Sequence, residues 1–132
     1  MTGTVTGEKV GGLSGKRYTI DWKCDASGNV SAYFDTDLSL SNITGKIEFV
    51  ETAPGEDGDL TTDLPTASYD ITLLDDSGYD WLGGTLANRS GSVAEKVVPS
   101  STLVLVQQRL KVVVANAGNA KRGRIVIGVS GL

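Results

Sequence analysis

The chain has no histidine, one cysteine and three prolines among its 132 residues, and each scarcity removes a class of chemistry. Without histidine, neither a Ser-His-Asp nor a Cys-His nucleophile can be assembled within one chain, and histidine-ligated zinc is excluded too. Cys24 alone permits no intrachain disulfide and supplies too few thiolates for a cysteine-based zinc site, so packing has to hold the fold. The first residues lack a basic segment followed by an apolar run, and no stretch reaches the roughly 20 apolar residues of a membrane helix. The expectation is a protein with no membrane association, made and kept in the cytoplasm or in something assembled there. Gly11-Gly12 and Gly83-Gly84 match neither a phosphate-binding P-loop nor a dinucleotide fingerprint. Paired carboxylates of the glycosidase kind remain possible on any acidic chain, but none stands in a recognisable motif. The expectation is therefore a non-enzymatic protein with no cofactor and no metal.

Acid is also missing, but only from one part. Residues 1–95 hold all sixteen acids and six bases, a formal −10, whereas residues 96–132 hold six bases and no acid, a formal +6. One reading has the two parts neutralise each other across neighbouring strands, where opposite charges contribute about 0.2–1 kcal/mol per pair. The other makes Lys121, Arg122 and Arg124, with Arg109 and Lys111, a basic surface for an acidic partner or a second copy, which would select partner and register more than affinity. Direct nucleic-acid binding fits poorly, because the total is acidic and no aromatics interleave the bases.

What is present favours strands. Hydrophobic residues make up 39% and charged residues 21%, with seventeen glycines and only two phenylalanines, a globular composition rich in turns. The length suits one domain spanning 1–132. After a first strand at 4–10 and a glycine loop, Tyr18, Ile20, Trp22 and Cys24 alternate with Thr19, Asp21 and Lys23, the period of two of a half-buried strand. Cys24 then points inward as a small core residue, since nothing beside it would activate a thiol. A turn at Asp25–Asn29 leads into Val30, Ala32 and Phe34, and the two strands read as a hairpin. Thr36–Thr44 reads as a surface crossing. Lys46–Thr52 follows, with Ile47 and Phe49 expected inside. Apolar runs at 102–106 and 110–115, and a last strand with Ile125, Ile127 and Val129 inward, complete an antiparallel β-sandwich, jelly-roll or immunoglobulin-like, of about eight to nine strands. Residues 92–98 fit either a strand or a single helical turn before Pro99.

Two acidic segments invite a cation hypothesis. The first, Ala53–Pro65, places Glu56, Asp57, Asp59 and Asp63 in a loop with two prolines and two glycines. It has no EF-hand spacing and reads as solvated. The second, Asp75-Asp76-Ser77-Gly78, lies between Tyr69–Leu74 and a return strand carrying Tyr79, Trp81 and Leu82. Its glycine comes too early for a calcium loop, so a hairpin turn is the better reading. Asn29-Val30-Ser31, Asn42-Ile43-Thr44 and Asn88-Arg89-Ser90 match glycosylation acceptors but lack a secretion signal to give them meaning.

From Pro65 to Gly84, then Asn88-Arg89-Ser90, and again from Leu110 to Val129 with its Asn116–Ala120 loop, the chain resembles small virion proteins of tailed bacteriophages. The resemblance consists of strand and turn chemistry and carries no transferable functional residues. It implies a structural component of the particle, first of all a capsid decoration or cement protein. Such a protein would contact the major capsid protein and copies of itself, as a homo-oligomer within the virion. A neck or tail component is the alternative. From another class, a carbohydrate-binding sandwich would use Trp22, Tyr33, Tyr79 and Trp81 as stacking faces.

Overall fold

The computed structural model describes residues 3–11, 15–40, 43, 45–98, 104–105 and 109–130. Nine strands are described: β1 (Thr4–Gly11), β2 (Gly15–Lys23), β3 (Val30–Tyr33), β4 (Gly45–Pro54), β5 (Asp70–Leu74), β6 (Glu95–Val97), β7 (Val104–Leu105), β8 (Lys111–Ala115) and β9 (Arg122–Ser130). A single 3-10 turn at Glu56–Gly58 is the one helical element among the described residues. All pairings are antiparallel, and the strands form two sheets. The larger runs β1-β2-β9-β4, with β6 and β7 both against the far edge of β4, at Val50–Thr52 and Gly45–Lys46 respectively. The smaller runs β3-β8-β5. This is the all-β sandwich that the alternating strands predict. Residues 95–97 resolve as strand, and no described helix is long and apolar enough to cross a membrane.

The core lies between the sheets and follows the period of two. Tyr18, Ile20, Trp22 and Cys24 face in from β2 and its end, with Ile125, Ile127 and Val129 beside them from β9. Ala32, Val112, Val114, Ile71 and Leu73 come from the smaller sheet. Aromatic contacts bind the layers: Trp22 lies 5.5 Å from Tyr69, and Tyr18 lies 6.1 Å from Phe34, centroid to centroid. Full burial of side chains this size stabilises by roughly 1.5–3 kcal/mol each. Against that, Tyr18 Oη and Trp22 Nε1 are buried without a hydrogen-bond partner, at about 1–3 kcal/mol apiece. Gly123 faces Trp22 across the β2–β9 ladder, and a Cβ there would sit 2.4 Å from the indole ring.

Three sequence expectations need correction. β2 and β3 are not a hairpin: β2 pairs with β1 and β9, while β3 pairs with β8 in the other sheet. The Asp25–Asn29 turn is a crossover corner, where Asp25 Oδ1 accepts the N–H groups of Ser27 and Asn29. The corner is clamped by the 116–121 loop, through Ala117 N–H to Gly28 O and Cys24 N–H to Lys121 O. Phe49 is not inside, because a bulge between Ile47 and Phe49 inserts a residue and shifts the alternation. Ile47, Val50 and Thr52 face the core, and Phe49 lies on the outer face over Gly128. The segment after Asp76 is not a strand. One bridge, Leu74 to Asp80, is followed by a chain of turns. Of the 36–44 crossing, Leu38 and Ile43 are buried.

Candidate functional site

The five cations proposed as a partner surface do not form one surface. Arg109 and Lys111 flank Tyr33 on the outer face of the smaller sheet. The Arg109 guanidinium lies 3.8 Å from the ring centroid and 3.3 Å from Asp35, and Lys111 Nζ lies 5.4 Å from the same ring. Arg122 and Arg124 stand on the opposite side of the molecule, on the outer face of the larger sheet. Arg122 reaches Glu56 at 3.2 Å and Asp63 at 3.3 Å. Arg124 clasps Asp21 through two nitrogens, at 2.7 and 3.0 Å, and approaches Asp57 at 3.9 Å. Its guanidinium is held charged more firmly by Asp21. Lys121 ends the 116–121 loop, its N–H donating to Cys24 Sγ. The basic end of the chain thus meets the acidic part within the molecule, and at these exposures each pair contributes at most about 1 kcal/mol.

The aromatics offered for stacking are likewise dispersed. Trp22 is in the core and Tyr33 lies under Arg109. Tyr79, 60% exposed, meets Trp81 edge-on at 5.4 Å. The carboxylates around this pair serve the backbone. Asp80 accepts the N–H groups of Leu73, Leu82 and Gly84. Asp75 accepts those of Ser77 and Tyr79, and its other oxygen takes Trp81 Nε1–H. These bonds, with Gly83 and Gly84 at positive φ, bend the chain into turns where a return strand was expected. The turns cover the free edge of β5, since Ile71 N–H donates to Leu86 O and Arg89 N–H to Tyr69 O. At the base of this segment burial pushes the Tyr69 hydroxyl up to about 12, Thr52 and Arg89 pulling it only part of the way back. No group of three or more Cys, Asp or Glu positioned for a metal ion occurs among the described residues.

The outer face of the larger sheet carries two rows of side chains. Register places Arg17, Gly128 and Phe49 side by side across β2, β9 and β4, with Val10 of β1 at the end of that row. Asp21, Arg124 and Ala53 form a parallel row nearer the other end of the strands. The loop from Gly55 to Asp63 folds over this second row: a Cβ on Gly58 would lie 3.1 Å from Ala53 Cβ and 3.4 Å from Arg124 Cβ. Arg122 and Arg124 tie the loop down. Asp59 shapes it from inside by accepting the N–H groups of Thr61 and Thr62, and the Thr62 hydroxyl, with those two amides, lowers its carboxyl to about 2.

Among the described residues, the first row stays open. A shallow hollow of about 470 Å³ there is lined by Val10, Lys16, Arg17, Glu48, Phe49 and Gly128. Phe49 lies against Gly128, where a Cβ would meet its ring at 2.1 Å, and Lys96 Nζ sits 4.8 Å from the ring centroid. Val10 is 56% exposed. Lys16 and Arg17 make no ion pair among the described residues. The neighbouring loop holds three non-glycine residues at positive φ, Asp57, Leu60 and Asp63. Leu60 has φ 65° and remains 40% exposed. A left-handed backbone costs a residue with a Cβ roughly 1–2 kcal/mol, and here that cost brings no full burial of the side chain. Sequence reasoning missed Lys16, Arg17, Phe49 and Leu60. The bulge that turns Phe49 outward and the backbone sign at Leu60 leave no trace in hydrophobic alternation.

Compared with models of protein families, with curated proteins and with solved structures, the chain has no match to any of them.

Proposed function

We propose that this chain is a non-enzymatic structural protein of a tailed-phage particle, a capsid decoration or cement protein that stabilises the head through contacts with the major capsid protein and with copies of itself. One observation carries the reading. Four of the five arginines and many carboxylates are engaged in ion pairs or in shaping loops, while among the described residues a hollow with Val10 and Phe49 in its lining and Arg17 outside any ion pair stays open on the sheet face. Rigid strands beneath such a face suit a lasting contact between subunits, in which an apolar centre and a charged rim divide the work. The resemblance to small virion proteins read from the sequence at residues 65–84, 88–90 and 110–129 points to the same role.

Particles assembled without the protein should keep their tails and release their genome at lower temperature or milder osmotic shock, and adding purified protein should restore resistance. Normal heads lacking tails would move the role to the neck or tail, and unchanged particles would remove both. The exposed Tyr79 beside Trp81 favours a second reading, a carbohydrate-binding module. Glycan-array binding that is lost on Tyr79→Ala, in a protein of unchanged fold, would establish it.

A further inference from the structure

We propose that the open half of the larger sheet's outer face is the seat of a second copy of the chain, and that the Gly55–Asp63 loop of each copy docks into the Val10–Arg17–Phe49 hollow of the other. The inference rests on the reading of a self-associating structural protein and names the surface through which it associates. Loop and hollow occupy the same face of the same sheet, one toward each end of the strands. A two-fold axis lying in the contact plane and crossing the strands therefore sets each loop over the other copy's hollow. The contact is isologous and closes on itself, as two-fold symmetry requires.

The chemistry of the two parts is complementary. The loop carries Glu56, Asp57, Asp59 and Asp63, which Arg122 and Arg124 offset only in part, Arg124 being shared with Asp21. Asp57 is 70% exposed. Facing this acid, the hollow presents Arg17 on its outer-face row and Lys96 over the Phe49 ring, neither in an ion pair among the described residues, with Lys16 and Glu48 at its rim. Leu60 supplies an apolar side chain on the loop, and Val10 and Phe49 supply an apolar floor. The Leu60 N–H closes the loop by donating to Pro54 O, which leaves its side chain 40% exposed and presented to a facing surface. Edge-to-edge pairing through β1 is the poorer route. Two-fold antiparallel pairing centred on Glu8 or on Lys9 would oppose like charges, the usual guard of an exposed edge.

Sedimentation equilibrium of the full chain over a range of concentrations tests the proposal. The expected result is a monomer–dimer equilibrium in which Arg17→Glu weakens association at least about 30-fold, the equivalent of roughly 2 kcal/mol. Asp57→Lys should weaken it comparably. A mixture of the two variants should associate better than either alone, because both loop–hollow contacts then regain opposite charges. Leu60→Gly should weaken association about tenfold while raising the melting temperature of the monomer, which excludes misfolding as the cause. A monomer at every concentration, or a dimer indifferent to Arg17→Glu and Leu60→Gly, overturns the proposal. A monomer that still protects heads overturns this inference and leaves the decoration role standing. A dimer that fails to protect heads does the reverse. Loss of head binding on Arg17→Glu without any dimer would assign the hollow to the capsid surface, and the second copy would fall.

Discussion

In the segment Asp75–Ala87 carboxylates turn back onto their own backbone, whereas in Gly55–Asp63 most of them reach across to arginines of β9. Asp80 gathers three amides and Asp75 two, four of the five within the segment and the fifth that of Leu73 in β5, while Leu82 and Leu86 anchor the resulting cap in the core. Glu56, Asp57 and Asp63 are instead positioned by Arg122 and Arg124, so their loop depends on the sheet and on charge balance. Similar acidic compositions thus produce a turn cluster shaped by its own carboxylates and a flap tethered by arginines of the sheet. The partner atoms decide which: backbone N–H groups hold an Asp by short, directed bonds, while exposed guanidiniums hold it through screened attraction.

This contrast can be broken in order of expected effect. The aromatic cap rests on Tyr69, whose folded-state value near 12 exceeds its ordinary 10.0 because the hydroxyl is buried. Stability from this group is complete below pH 10 and is lost as pH rises through about 12. The loss by pH 12 should be roughly 2–3 kcal/mol, read as a fall in the urea midpoint that Tyr69→Phe abolishes. Next, Asp80→Ala strands three amides and should cost about 2 kcal/mol, independent of salt, by urea denaturation. Arg122→Ala should cost no more than about 1 kcal/mol, and added salt should shrink the difference from the parent. Smallest is the acid response of Asp59, whose carboxyl is lowered to about 2 from an ordinary 3.8. Its contribution is present above pH 3.8 and lost as pH falls through 2, so amide exchange at Thr61 and Thr62 should quicken over that interval while the core stays protected. Equal salt sensitivity in Asp80→Ala and Arg122→Ala would erase the distinction between the two loops.

The sandwich was legible because burial alternates where strands run straight. Tyr18 to Cys24 and Ile125 to Val129 declare their inner faces residue by residue. Partners were less legible. An Asp-to-Gly turn such as 25–28 has the same composition whether the chain returns alongside or crosses to another sheet, so β2 and β3 looked like neighbours. Phe49 was misplaced because a single bulge reverses the phase of everything after it, and apolar residues lie on both sides of the bulge. The opposition of acidic and basic parts correctly suggested neutralisation across strands, which Asp21–Arg124 and Asp35–Arg109 realise. The open hollow could not be read at all, since its glycine and phenylalanine meet only through register.

Cys24, finally, gives this molecule a clock. Its sulfur is fully buried, donating to Gly118 O at 2.9 Å and accepting Lys121 N–H at 3.1 Å, and burial pushes the thiol up. Both clasps belong to the 116–121 loop that closes one end of the sandwich, so a thiol reagent gains access only when that end parts. With a single cysteine in the chain, the pace of labelling at high reagent concentration reports the opening rate itself. Time spent closed thus becomes measurable from one atom, in the free protein and in whatever assembly holds it.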